Sequence, residues 1–273
     1  MYPLMKRKGL LTNKYTLSAL ILLAIVVGDV IIHRGISRVM LPASFTSQRH
    51  PVTDYLRCRQ TVEYGTHWAK AINNLAIADH LDSSINGIEM DVYFDARQKI
   101  FFAYHDSVHL SNTRVEDILT RLQHKDKSFT YWFDFKNLDS LNEAMALQAL
   151  LSIKNKYQLE HKVIIESAQI HCLQSFCDAG FFTSYYVPFF NPYTEDEPAI
   201  IQYIDSIAHQ IKKYKVSALS GYYFQMPLFE KFFPGMPLLT WADNSNYSII
   251  GLAFKHQLQK DAEIKIVLYP PVN

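Results

Sequence analysis

Gly87-Ile88-Glu89-Met90-Asp91-Val92 and, a turn later, Phe102-Ala103-Tyr104-His105-Asp106 are the stretches that decide how this chain is read. The first is an apolar run interrupted at every second position by a carboxylate. On a strand, residues two apart share a face, so Glu89 and Asp91 point the same way. Ile88, Met90 and Val92 point the other way, into a core. A barrel-interior strand face is an expensive place for charged groups unless they pair or bind a cation. The same geometry returns at Asp134-Phe135-Lys136.

Working outward, apolar or β-branched runs alternate with helix-length amphipathic segments, the pattern of βα units around a parallel sheet. The expected strands are Thr61–Thr66, Gly87–Phe94, Phe129–Phe135, Lys162–Ile165, Phe182–Val187, Val216–Ser220, Pro237–Trp241 and Ile264–Tyr269. Ile100–Tyr104 reads as a hairpin partner of the second. The expected helices are Ala71–Leu81, Arg114–Gln123, Asp139–Tyr157, Gln169–Ala179, Glu197–Tyr214, Gln225–Phe233 and Asn246–Gln259. Asn112 or Thr113 would cap the second of these, with Glu116 completing a capping box. Eight strands with seven intervening helices fit an α/β fold of the (β/α)8 TIM-barrel type. An open doubly wound sheet is the alternative. No eighth helix follows the last strand within this sequence, and the segment near Asp54–Cys58 is expected to cover the barrel seam instead.

The 273 residues are 49% hydrophobic and 19% charged, enough to build a sizeable core, and the net charge of +1 offers no basic excess for nucleic acid. Met5-Lys6-Arg7-Lys8 and Lys14 precede an apolar run from Leu17 to Ile32, the pattern of a secretory signal or an uncleaved signal anchor. The expected organisation is therefore a basic cytoplasmic tip and membrane anchor over 1–34, a juxtamembrane linker with a lead-in helix over 35–59, and a barrel over 60–273. This places the barrel on the non-cytoplasmic side of a membrane, or secreted if the segment is cleaved. The three cysteines, Cys58, Cys172 and Cys177, match no zinc or redox spacing and read as buried thiols.

Barrel chemistry sits at the carboxyl ends of the strands. Those ends carry His67, Glu89 with Asp91, His105-Asp106, Asp134 with Lys136, Glu166, Tyr185-Tyr186 and Trp241. Carboxylates from neighbouring strands make a hard oxygen site suited to Mg²⁺ or Ca²⁺. The bland counterpart is a buried ion pair, Glu89 with Lys136, and no metal. His80, His109, His124 and His161 lie in expected helices or loops without acidic partners.

The set His67…Glu89-x-Asp91…His105-Asp106…Asp134-Phe135-Lys136 resembles the phospholipase C-like phosphodiesterases, and within them the glycerophosphodiester phosphodiesterases. More distantly it resembles sphingomyelinase D and menorin relatives. Leu238-Leu239-Thr240-Trp241-Ala242-Asp243-Asn244 is similar to that group's Trp-containing penultimate strand. Trp68 stands where an arginine usually follows the first histidine, and Asp134 where a glutamate is common. The resemblance implies one divalent cation, Mg²⁺ or Ca²⁺, held by Glu89, Asp91 and Asp134. It implies His67 and His105 as an acid/base pair and Lys136 on the phosphate. Glu166, Tyr186 and Trp241 would contact the rest of a glycerophosphodiester or (lyso)phospholipid-type substrate. Two other readings stand beside it: a non-catalytic barrel that binds or scaffolds at a membrane, and a carboxylate-pair glycoside hydrolase using Glu89 and Glu166.

Overall fold

The computed structural model describes residues 14–32, 47–65, 67–105, 111–125, 127–192, 194–241 and 258–270. Its centre is a closed barrel. The strands are β1 (Trp68–Ala69), β2 (Gly87–Asp95), β3 (Ile100–Ala103), β4 (Thr130–Phe135), β5 (Val163–Ser167), β6 (Phe182–Tyr186), β7 (Ala218–Tyr222), β8 (Leu238–Trp241) and β9 (Ile264–Tyr269). All but β3 are parallel, and each pairs with the next around the ring. The two-residue β1 pairs with both β2 and β9 and so closes the circle. That double pairing excludes the open doubly wound sheet. Because β1 is so short, the upper half of β2 would have an unpaired edge. The hairpin strand β3 descends antiparallel along it, matching Asp95 with Ile100 and Val92 with Ala103.

Outside the ring lie α2 (Leu75–Asp79), α3 (Val115–Gln123), α4 (Glu143–Tyr157), α5 (Ile170–Asp178), α6 (Glu197–Lys213) and α7 (Met226–Phe232). Their apolar faces bury Ile118, Leu122, Leu150, Phe176, Ile204 and Phe229 against the outward side chains of the strands. A second, smaller apolar cluster fills the barrel itself: Trp68, Trp132, Ile164, Phe182, Ala218, Leu239, Ile266 and Leu268, with Val62 beneath them. Gly87 is required here. A Cβ on it would come 2.1 Å from the Trp68 indole, which lies across the strand at that point.

The first strand differs most from expectation. Residues 61–65 are not a strand, and β1 begins only after His67. Gly65 turns the chain with φ +63, and His67 then accepts from the backbone N–H groups of Asn86 and Gly87, each at 3.0 Å. The β-branched character of 61–65 reflects packing under the barrel, where Val62 is buried, and not strand pairing. The following helix is likewise shorter, because Lys70 to Asn74 are irregular; Asn74 then caps α2 by accepting from the Ile77 N–H at 2.8 Å. In α3 the cap falls at Arg114, whose N–H donates to Asp117, not at Asn112 or Thr113 with Glu116. The remaining expected strands and helices match within a few residues. Most of the expected helix Asn246–Gln259 lies outside the described residues.

The lead-in segment is extended, not helical. It runs beneath the barrel and takes backbone bonds from one unit after another: Val52 to Phe232, Leu56 to Ile211, Cys58 to Val216 and Glu63 to His161, all at 2.8–3.0 Å. It therefore seals the floor of the barrel and not its seam. Cys58 is fixed there by a disulfide to Cys177 at the end of α5, across 119 residues, while Cys172 stays a buried free thiol. Spacing along the chain could not find that pair, because folding alone brings the floor segment under α5.

The N-terminal helix α1 (Lys14–Ile32) is present and exposes Leu17, Leu20, Ile21, Leu22, Leu23, Ile25 and Val27. Among the described residues, no helix is long and apolar enough to cross a membrane. The expected transmembrane anchor therefore has no support in α1.

The disulfide ties a floor segment that carries no regular structure of its own. Cys58→Ser should lower unfolding free energy by about 2–5 kcal/mol, the usual cost of losing a native bridge in a small domain. Urea denaturation of oxidised wild type and variant measures it, and equal midpoints would show that the bridge is dispensable.

Candidate active site

The acidic site follows from strand alternation. On β2, Ile88, Met90 and Val92 face the helices, and Glu89 and Asp91 face inward, both buried. On β4, Phe133 and Phe135 face outward, and Trp132 and Asp134 inward. The register sets Asp91 beside Asp134 and Asp134 beside Glu166, so three neighbouring strands deliver carboxyl groups to one level. Ligand oxygens of Glu89, Asp91 and Asp134 lie within 4.8 Å of one another.

Each of these groups is held. Ala71 adopts φ +61, a left-handed conformation that costs a non-glycine residue energy and marks a constrained turn. That turn aims the Ala71 N–H at Glu89 Oε2, 2.6 Å away. Asn73 donates from Nδ2 to Asp91 Oδ2 at 2.6 Å and accepts the Asp91 N–H at 3.0 Å. Lys136 places Nζ 2.7 Å from Asp91 Oδ1 and against Asp134 Oδ2.

The electrostatics follow from burial first. Desolvation, then Asp91 and Asp134, hold the Glu89 carboxyl well above the usual carboxylate range. Burial also raises Asp134, although Lys136 opposes the rise. Burial followed by the charge of Asp134 raises Glu166 well above its usual value. For Lys136, burial favours the neutral amine, but Asp134 and Asp91 outweigh it and keep the ammonium charged. Four inward carboxyl groups meet one bridging ammonium, so the cluster is short of positive charge.

A cleft of about 370 Å³ opens over the cluster, lined by Glu89, Asp91, His105, Asp134, Lys136, Glu166, Tyr186, Trp241, Tyr222, Lys70 and Ala71, with Trp132 and Leu268. Tyr186 and Tyr222 both pack edge-on to Trp241, with ring centroids 5.4 and 5.0 Å away, and form an aromatic wall. Glu166 Oε2 is buried with no hydrogen-bond partner among the described residues. A larger cavity of about 530 Å³ lies outside the barrel between β3, α3 and α4, and it has no comparable carboxylate cluster.

The fold thus brings together eight of the nine residues given roles from the sequence: Glu89, Asp91, His105, Asp134, Lys136, Glu166, Tyr186 and Trp241, while Tyr185 turns outward into the main core. It does not bring His67 there. His67 precedes β1 and pairs with Asn86 and Gly87 at the start of β2, the end of the barrel away from Asp91. The physical reason is the late start of β1, which moves the rim end of that strand to Lys70 and Ala71. Asp106 lies outside the described residues. Lys70 and Tyr222, which line the cleft, and Asn73, which holds Asp91, are functional residues that the sequence did not single out. Tyr222 was legible as the inward position after Ser220 had β7 been extended by two residues.

No family model matches the chain, and no curated protein matches it. Solved structures do. A protein from Silicibacter pomeroyi DSS-3 assigned as a glycerophosphoryl diester phosphodiesterase superposes with TM-score 0.52 at 14% identity, covering 78% of this chain and 92% of that one. One from Galdieria sulphuraria assigned as a glycerophosphodiester phosphodiesterase gives 0.51 at 11% identity, over 78% and 95%. At these identities the likeness establishes a shared barrel fold.

The raised carboxyls give a pH signature. Glu89, Asp134 and Glu166 keep protons in the folded state that the unfolded chain releases near pH 4, so the native state binds more protons and stability falls as pH rises above that range. Glu166→Gln removes one such group. It should raise the melting temperature at pH 7 and leave it nearly unchanged at pH 4. Parallel melting curves for wild type and variant across that range would contradict the buried-carboxyl account.

Proposed function

We propose that the chain is a metal-dependent phosphodiesterase acting on glycerophosphodiester or (lyso)phospholipid-type substrates. One observation carries the reading: three carboxylates within 4.8 Å of one another, Glu89 and Asp91 buried and Asp134 partly so, share a cleft with Lys136 and His105. The donor set fits a hard cation, because it offers only carboxylate oxygens and the single bridging ammonium of Lys136 leaves the cluster short of positive charge. Glu89, Asp91 and Asp134 would hold Mg²⁺ or Ca²⁺. When bound, the cation supplies Lewis-acid stabilisation of negative charge on a non-bridging phosphate oxygen.

The chain's own groups do the rest. Asn73 and the Ala71 N–H fix Asp91 and Glu89 in place before any ligand arrives, so their orientation costs nothing at the moment of binding. Lys136, held between Asp91 and Asp134, adds a cation at the phosphate level. His105 ends the descending arm of β3 beside the carboxylates and is the proton-transfer group, a task suited to imidazole near neutral pH. It is the one histidine of the cleft among the described residues, so the histidine pair implied by resemblance is reduced to one. Trp241, Tyr186 and Tyr222 offer an apolar wall to the organic part of the substrate.

The disulfide supports placing the barrel in an oxidising, non-cytoplasmic compartment, periplasmic or extracellular. Association with a membrane through α1 has only its exposed apolar side chains in favour.

A non-catalytic binding barrel is the second reading. It is favoured by Lys136, which already bridges two of the three carboxylates without a metal. A panel of glycerophosphodiesters and lysophospholipids, assayed with Mg²⁺, with Ca²⁺ and with chelator, separates the two. Turnover should need a divalent cation and should fall by about 10²-fold or more in His105→Ala. Ligand binding without product in every condition would select the binding barrel.

A further inference from the structure

We infer that Lys70 is a second phosphate-contacting cation of the cleft, at the end of the first strand where His67 had been expected. The argument begins with register. Trp68 lies opposite Gly87 and Ala69 opposite Ile88, so Lys70 reaches the level of Glu89. Trp68 is a barrel-interior residue, and strand alternation therefore turns Lys70 inward as well, where it is half-buried and lines the cleft.

Its backbone is fixed from both sides. The Lys70 N–H donates to Tyr269 on β9 at 2.8 Å, and the next two residues donate to Glu89, Ala71 to the carboxylate and Ile72 to the carbonyl. The left-handed turn at Ala71 stops the strand there, so the side chain of Lys70 is the last that β1 delivers to the cleft. His105 reaches the same edge of β2 from the other direction, because β3 descends along it and Tyr104 donates to the Asp91 carbonyl at 3.1 Å. One cation arrives by the rising strand and one proton carrier by the descending one, on either side of the carboxylate cluster.

The two cleft lysines differ in what they hold. Lys136 is committed to Asp91 and Asp134. Lys70 makes no ion pair among the described residues, and Glu89 beside it is already taken by the Ala71 N–H. A half-buried ammonium facing a cleft with no carboxylate of its own is suited to an anionic ligand, here the phosphate of a diester or of its monoester product. This rests on the phosphodiesterase reading for its catalytic meaning, but the phosphate contact can be tested apart from turnover.

The test is calorimetric titration of inorganic phosphate and of glycerol 3-phosphate into the full chain, with and without Mg²⁺. Lys70→Met should weaken both by about tenfold or more, the scale of one charge-assisted hydrogen bond. Lys70→Arg should stay within about threefold of wild type, since it keeps the charge. His67→Ala should bind as wild type does. Lys70→Gln replaces Lys70→Met if circular dichroism shows that the methionine variant is unfolded. Wild-type affinity in both neutral variants would overturn the inference and leave Lys70 a counter-charge for the carboxylates. Absence of diester turnover in the wild type would remove the catalytic reading alone, because the phosphate titrations decide Lys70 by themselves.

Discussion

Four carboxyl groups point into one barrel mouth, and their mutual repulsion in a poorly solvated space is the constraint on which the rest of the structure turns. Burying an uncompensated charge is costly, so such a cluster persists only if it is protonated, paired or closed by a cation. This chain uses pairing in part. Lys136 spans Asp91 and Asp134, and backbone and amide donors from Ala71 and Asn73 satisfy Glu89 and Asp91. Glu166 is left with an unpartnered oxygen. A cluster so incompletely neutralised is unfavourable for stability alone and well suited to attract a divalent cation and an anionic substrate together.

The scaffold makes the arrangement rigid. A closed ring leaves β2, β4 and β5 no freedom to shift register against one another, and each inward carboxylate is backed by an outward side chain in the main core. Below, Trp68, Trp132 and Val62 fill the barrel and the disulfide-tied floor segment closes it. Above, the short β1 leaves room for β3 to descend and carry His105 in. The brevity of β1 thus has two consequences: it displaces His67 from the site and it admits His105.

Much of this was legible in the sequence where one rule acted alone. Period-two alternation at Gly87–Phe94 and Phe129–Phe135 is a strong local signal, and it gave the acidic strands and their facing with no tertiary information. The aromatic wall at Tyr186 and Trp241 followed from the same rule. His67 was misplaced because the sequence from Thr61 to Thr66 has the composition of a strand, yet 61–65 lie under the barrel, held by Gly65 and by packing of Val62. A turn-forming glycine one residue before the presumed strand end was the available warning. The Cys58–Cys177 bridge and the extended floor were illegible, since both depend on contacts between residues far apart in the chain. The same holds for Lys70, whose meaning depends on where β1 ends.

The central claim is that Glu89, Asp91 and Asp134 hold a divalent cation directly against a phosphate ligand. The most direct measurement is the ³¹P resonance of glycerol 3-phosphate in the presence of the protein and substoichiometric Mn²⁺. If the claim holds, wild type brings the paramagnetic ion next to the phosphorus and broadens the signal strongly. Asp91→Asn and Asp134→Asn should lose that broadening while remaining folded. A sharp signal with wild type, or equal broadening with all three proteins, would contradict the account.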